Sequence, residues 1–471
     1  MQRILCIPSV LILAISLILP ARIEASLLGE FTIRDEAKLG EQLALVMAMN
    51  FDMIDDPVIT GYILDLGRRI AEGIPPQPFP FRLNVVNNNA MNAFATAAGY
   101  VYIFSGLILN VEAESELAGV MAHEFAHVTE RHIARSIEQS KLIGLGTLAG
   151  MLAGIFLGTQ GDGQAGSAVL LGSLAGSKSA ALKYSREHER EADHVGFNYL
   201  TGAGFDPRGL PEAFKKIRRL AWLGGSSIPS YLSTHPGVDE RIGYLEQRID
   251  RLPGDQHGIA DDNTRLYLVQ ALLRARYSNP QNALAFFDQS APTCFNLLGR
   301  AMTLSRLNRI TDSEEAFQRA LACSDLDSRV LSREYGRFHY EYGDSGLAAR
   351  HLLKAVSLDP SDTMALFFYA RILAERGQRA EAVEYLQRIL RGNPHHKDAH
   401  RHLALIYGQD KNTFRAYLHL THADMLDLRD NLVRKRLREM KNMELTDEER
   451  LDLEKLENLY QERQKILAGK N

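Results

Sequence analysis

His123-Glu124-Phe125-Ala126-His127, answered 62 positions beyond His127 by Glu189-Arg190-Glu191-Ala192-Asp193, decides how this 471-residue chain is read. On a helix, His123 and His127 are four apart and share a face, so their imidazoles can reach one metal ion, while Glu124, one step round, leans toward a water on that metal. Two imidazoles do not hold a catalytic zinc. A third ligand, usually a carboxylate from a second helix, is needed, with the fourth position left for water; Glu189 supplies it. Leu117 to Ile137 reads as one amphipathic helix without Pro or Gly after Gly119, and Tyr184 to Leu200 reads as another. Glu189 and Asp193 are four apart on the second helix, so Asp193 is expected under the metal, accepting the outer N–H of a ligand, His127 being the first choice. Glu191 points elsewhere on that helix. The bland alternative is a solvated, charge-rich helix pair.

These residues resemble peptidase family M48, in which a His-Glu-x-x-His helix is followed by a Glu-x-x-Ala-Asp helix. Upstream, Asn92-Ala93-Phe94-Ala95, Gly99-Tyr100-Val101-Tyr102-Ile103, Ser105-Gly106-Leu107 and Glu116-Leu117-Ala118 stand in the family's order, and the resemblance runs from about Glu36 to Leu252. Ala97-Ala98-Gly99 departs from the Pro-Gly-Gly common in the family, at the turn before the Tyr100 strand. Downstream, Ser233-Thr234-His235-Pro236 and Asp239-Glu240-Arg241-Ile242 resemble the exported, repeat-bearing members. The resemblance implies a mainly α (α+β) chain: a helical zincin-type metallopeptidase domain with a small β-sheet over 26–255, then an α-helical repeat solenoid. It also implies one zinc ion per chain, bound by His123, His127 and Glu189, with Glu124 as general base. His235, fixed on an extended segment by the following proline, is read two ways: as a fourth ligand that keeps the enzyme latent, or as a loop-fixing hydrogen-bond donor.

The chain opens as a secretory leader over 1–25: Arg3, an apolar run from Ile4 to Leu19, and Ile23-Glu24-Ala25 before Ser26. Cys6 would leave with it. The apolar run is short for a membrane span. Cleavage removes Arg3, Arg22 and Glu24, taking the formal charge from −4 to −5, which argues against a nucleic-acid partner. A periplasmic location is what the leader and the resemblance together imply.

From Asn263 the sequence repeats: Gly343 and Gly377, Ala348 and Ala382, and Pro360 and Pro394 are each 34 apart, and Ala382 recurs at Ala416. That is the tetratricopeptide period. Weaker copies centre on Ala283 and Ala316, so four to five helical hairpins are expected over 263–430, with Ala348, Ala355 and Ala382 allowing close helix packing. Cys294 and Cys323 fall near the start of one helix and the end of its antiparallel partner; a disulfide and two buried thiols are both open. Residues 431–471 read as a charged helical cap, with Thr446 and Glu449 as a capping box. His395, His396, His400 and His402 read as a surface helix face, since no carboxylate completes a metal site there. Between the metal helices, Leu142–Leu157 and Ala168–Ala175 are Gly- and Ala-rich; a packed helix pair with a hinged lid is expected, and a peripheral membrane contact is the other reading.

Zinc held in this way makes water nucleophilic near neutral pH, and Glu124 is suited to take its proton and pass it to the leaving amine. Candidates for steadying the oxyanion are Tyr184, His188, His235 and Arg241. Tyr100-Val101-Tyr102-Ile103-Phe104 is expected to be an edge strand onto which an extended peptide adds through its backbone. Such binding favours unfolded or misassembled polypeptide as substrate. The resemblance implies envelope protein quality control, with the repeats engaging the outer-membrane protein assembly machinery. The competing class is a repeat-based chaperone or scaffold with a latent zinc site, for which Glu124 would have no use.

Overall fold

The N-terminal half is a small sheet with helices on it, the C-terminal half is all hairpins, and a buried ionic seam joins them. The computed structural model describes residues 31–140, 185–223, 230–253, 260–324 and 326–467. The expected leader 1–25, Cys6, Tyr184 and the Gly- and Ala-rich runs 142–157 and 168–175 lie outside the described residues.

Helix α1 (Ile33–Asn50) starts at Thr32, whose hydroxyl accepts from the Asp35 N–H while Asp35 accepts from the Thr32 N–H. Strand β1 (Met53–Ile54), helix α2 (Pro57–Ala71), β2 (Arg82–Val86), β3 (Ala93–Ala95) and β4 (Tyr100–Phe104) follow. The sheet order is β1-β2-β4-β3, with β2 and β4 parallel and the outer pairs antiparallel. One expectation is corrected here: Tyr100–Phe104 is a central strand, not an edge. Val101, Tyr102, Ile103 and Phe104 are all buried, the near-continuous apolar run that a strand covered on both faces requires. The edge strands are β1 and β3. Between β3 and β4 the chain turns through Ala98 (φ 60°) and Gly99 (φ 81°); a Cβ on Gly99 would lie 2.3 Å from the Pro80 carbonyl oxygen, so glycine is required twice over.

Helix α3 (Ser105–Asn110) leads into α4 (Glu114–Thr129), every residue of which is buried from Glu114 to His127. The single helix expected to run to Ile137 is broken. Arg131 takes a left-handed φ of 50°, its guanidinium held by Glu36 of α1 at 2.7 and 2.8 Å, and α5 (His132–Ser140) sets off in a new direction. Helices α6 (Arg186–Gly202), α7 (Gly209–Leu223), α8 (Ser230–Thr234) and α9 (Val238–Ile249) complete this half. Around α4 the core gathers Met121, Phe125, Phe197, Leu210 and Phe214, with Phe125 stacked on Phe81 at 4.0 Å. Burying each such side chain contributes about 1.5–3 kcal/mol.

Five antiparallel hairpins follow: α10 (Thr264–Tyr277) with α11 (Pro280–Gln289), α12 (Cys294–Arg306) with α13 (Ile310–Leu321), α14 (Ser328–Tyr342) with α15 (Ser345–Leu358), α16 (Thr363–Glu375) with α17 (Arg379–Gly392), and α18 (Lys397–Gln409) with α19 (Thr413–Leu426). The turns of the third and fourth use Gly343 and Gly377 at positive φ, and those of the second and fifth put Asn308 and Lys411 there. Ala348, Ala382 and Ala355 are buried between helices. Cys294 and Cys323 meet with their Cα atoms 5.8 Å apart, the spacing a disulfide spans. The histidine stretch is not a simple surface face: His400 is buried, its Nδ1 3.0 Å from Nδ1 of His419 and its ring stacked on His422 at 4.6 Å.

Helix α20 (Asp430–Lys441) and α21 (Asp447–Leu467) close the array. Thr446 and Glu449 form the capping box of α21. This last helix, mostly exposed apart from Leu453 and Leu456, also lies against α1.

The seam lies between α2, α10 and α14. Asp56, the N-cap of α2, and Arg333 of α14 are both fully buried, joined by paired contacts of 3.0 and 3.1 Å. Arg333 also reaches Glu334 (2.7 Å) and Asp362 (3.3 Å), and Arg276 of α10 bridges Asp56 and Glu334. Burial opposes these charges; opposite neighbours outweigh it at Asp56, Arg333 and Glu334, whereas at Asp362 burial prevails over Arg333 and pushes the carboxyl up. Gln270 adds two hydrogen bonds of 2.8 Å to the carbonyls of Ile108 and Val111. Among the described residues no helix is long and apolar enough to cross a membrane.

Candidate metal centre

The crossing of α4 and α6 builds the centre. At that crossing stands Gly196, where a Cβ would sit 2.9 Å from the His123 Cα and the Ala122 carbonyl oxygen; the missing side chain lets the two helices close up. The Nε2 atoms of His123 and His127 come within 3.0 Å of each other. Each is 3.5 Å from an oxygen of Glu189, which enters from α6. His235, just beyond α8, places Nδ1 3.0 Å from Glu189 Oε1. Ligand atoms of all four residues lie within 4.8 Å of one another, and all four are buried. The structure thus brings together His123, His127, Glu189 and His235.

What stands behind these groups differs from the sequence reading. Asp193 accepts from Nδ1 of His123 at 2.9 Å, not from His127. The reason is that His127 is already engaged: its Nδ1 lies 2.8 Å from Nδ1 of His132, brought back by the break at Arg131. In both ligands the Nδ1 contact leaves Nε2 turned inward. Arg241 of α9 is committed to carboxylates, with Nη1 2.5 Å from Glu189 and a two-point contact of 2.7 Å to Asp193. Its Nη2 also lies 3.2 Å from Nε2 of His123, the nitrogen that faces the cluster. Tyr244 donates its hydroxyl to Asp193. His188 stacks on His132 at 4.4 Å, on the outer side of His127. Tyr231 stacks on His235 at 4.4 Å, and the His235 N–H binds the Tyr231 carbonyl. Tyr231, Tyr244 and His132 were missed. Two of them had a signal: Tyr231 is four before His235, and Tyr244 is three after Arg241, spacings that share a helix face.

The charges follow from these contacts. Burial works against an ionised Glu189, but Arg241 and His235 outweigh it and hold the carboxyl well below the usual range. Asp193, equally buried, is drawn down to about 2 by Arg241 and His123. Glu124 goes the other way: burial pushes its carboxyl up, only partly offset by His235 and His123. Its Oε2 accepts the Ala95 N–H of β3 at 2.9 Å. Its Oε1 has no hydrogen bond and faces Nε2 of His235 at 3.6 Å.

Three nitrogen and oxygen donors with inward lone pairs, a buried acceptor oxygen without a hydrogen bond beside them and carboxylates fixing the tautomers are a fit for a divalent metal of the zinc type. Residues 60–249 match the family model described as Peptidase family M48, and residues 336–397 and 369–413 match that of the tetratricopeptide repeat. A protease HtpX homolog of Methylibium petroleiphilum is 30% identical over 233 residues, covering 43% of this chain and 78% of that protein. The chain belongs to peptidase family M48. Among other relatives, the beta-barrel assembly-enhancing protease of Escherichia coli K12 is 30% identical over 298 residues, 62% of this chain and 60% of that protein. The protein of the same name from Yersinia pestis is 34% identical over 253 residues, 54% of this chain and 51% of that protein. The chain therefore spans only 60% and 51% of the length of these two relatives. In M48 terms, His123 and His127 are the histidines of the His-Glu-x-x-His helix, and Glu189 and Asp193 stand in the Glu-x-x-Ala-Asp helix.

Proposed function

We propose that this M48 chain is a zinc-dependent endopeptidase of envelope protein quality control in the periplasm, cleaving misfolded or misassembled proteins, outer-membrane β-barrel proteins among them. The observation that carries the reading is Glu124: a buried carboxylate with one oxygen anchored by the Ala95 N–H and the other, without a hydrogen bond, facing Nε2 of His235, itself a member of the His123, His127, Glu189 and His235 cluster. A purely structural metal site has no use for it. Zinc, when bound, would polarise the scissile carbonyl and acidify a water molecule. Glu124 takes the water proton at Oε1 and delivers it to the leaving amine, a role for which its burial-raised basicity suits it.

An extended client would lie along β3. Thr96 and Asn92 spend their backbone bonds on β4, so by strand alternation the backbone groups of Ala93 and Ala95 face the other way, toward α4, where the Ala95 N–H is held by Glu124. His235 supports latency, because it closes the fourth side of the cluster against Glu124. The repeats would recruit clients or the outer-membrane assembly machinery; a cavity of about 570 Å³ between α2 and the helices α10, α12 and α14, lined by Tyr62, Leu268, Phe295 and Asp327, offers one surface for this.

The test is cleavage of an unfolded polypeptide by wild type, Glu124→Gln and His235→Ala, with and without a zinc chelator. Chelator-sensitive cleavage lost in Glu124→Gln and increased in His235→Ala is expected. No cleavage by any of the zinc-loaded proteins would leave the scaffold reading, in which the repeats act and the centre is latent.

A further inference from the structure

We infer that His132 is a positioning residue of the metal centre, passing the hold of Glu191 to the ligand His127; this rests on the zinc reading above. On an unbroken helix, a residue five positions after His127 would lie about 140° round the axis and could not meet its ring. The left-handed Arg131 redirects α5 instead, and Nδ1 of His132 arrives 2.8 Å from Nδ1 of His127. His132 is fully buried. Its other nitrogen, Nε2, lies 3.1 Å from Oε2 of Glu191, an oxygen that also receives Arg135 at 2.8 Å. His188 stacks on its face and keeps the ring plane fixed.

Proton positions follow from the far end inward. Glu191, paired with Arg135, is an ionised acceptor, so His132 carries its proton on Nε2 and donates it there. That leaves Nδ1 of His132 as an acceptor. His127 must then carry its proton on Nδ1 and offers Nε2 as a lone pair to the metal. His123 reaches the same state with a carboxylate, Asp193, directly at its Nδ1. The two histidine ligands are therefore set by different means, one against a buried carboxylate and the other through a neutral imidazole that ends on Glu191 at the surface, whose side chain is 37% exposed.

The test measures zinc affinity by chelator competition in the full chain, with folding checked by circular dichroism and melting of the metal-free proteins. His132→Leu keeps bulk but cannot accept from His127, and its zinc Kd should rise by roughly 10–100-fold. His132→Gln restores an acceptor oxygen and should recover most of that loss, which mere packing would not explain. Glu191→Leu, at a half-exposed position where folding is not at risk, should raise Kd by about 10-fold. Wild-type affinity in folded His132→Leu and Glu191→Leu would overturn the inference, as would equal losses in the Leu and Gln variants of His132. Failure of the wild type itself to bind zinc would instead overturn the zinc reading on which it rests.

Discussion

Two groups of histidines, one buried and the other half-buried around the buried His400, can be compared within this one chain. In the metal centre His123, His127 and His235 stand among Glu189, Asp193 and Glu124, with Arg241 behind them. In the fifth hairpin His400 meets His419 and His422, and the charged groups acting on these three are the other histidines and Arg415. Burial disfavours imidazolium in both places. Against it, Asp193 and Glu189 favour positive charge at His123, whether a proton or a metal ion, despite Arg241, whereas His419 and His422 fall to about 3 through burial and the proximity of His400. Ring type and spacing alone therefore do not make a metal site; carboxylates that fix tautomers and contribute charge do.

The largest expected effect concerns the carboxylate that only the first group has. Glu124→Gln should lower peptide cleavage by roughly 10²–10⁴-fold with zinc content unchanged; cleavage at the wild-type rate would remove what sets that group apart. Next is acid. His419 and His422 are neutral when folded, and the unfolded chain takes up their protons below about pH 6.5. The stability they confer is thus complete above that pH and falls as pH drops toward 3. At pH 5 the loss reaches about 2 kcal/mol for each ring. Denaturant unfolding at pH 7 and 5 should show it, and His419→Phe should flatten the slope; an unchanged slope would mean the knot is not closed to water. Asp193→Asn, which leaves an acceptor but no charge at His123, should weaken zinc binding by about 10-fold in chelator competition. The smallest effect is expected of His400→Ala: zinc stoichiometry should stay at the wild-type value, and a lost equivalent of metal would erase the contrast between the two groups.

Much of this was readable in the residues. His123, His127 and Glu189 sit in short motifs whose helical spacing forces them to one side, and the 34-residue recurrence of Gly343 and Gly377 announces the hairpins. Other features had no local signal. Neither Gly nor Pro marks the break at Arg131, so the partnership of His127 with His132 could not be foreseen. Asn308 occupies the left-handed turn position without a glycine, which is why the repeat centred on Ala316 looked weak; Lys411 takes the same position in a repeat still legible through Ala416. Tyr100–Phe104 has the composition of any buried strand, and composition does not say whether a strand has one neighbour or two. Asp56 and Arg333 are 277 positions apart, beyond any periodic pattern.

That last pair bears on how the molecule can be dissected. A fragment ending before the first hairpin would retain Asp56 without Arg333 and Arg276, and an isolated array would retain those cations without Asp56. Breaking one side of such a buried pair typically costs about 3–5 kcal/mol, a large part of what holds an ordinary domain together. The hairpins are thus less an interchangeable accessory than a graft sharing one root with the peptidase. Whoever exchanges them for a foreign array must carry over an arginine at the position of Arg333, or neutralise Asp56 first.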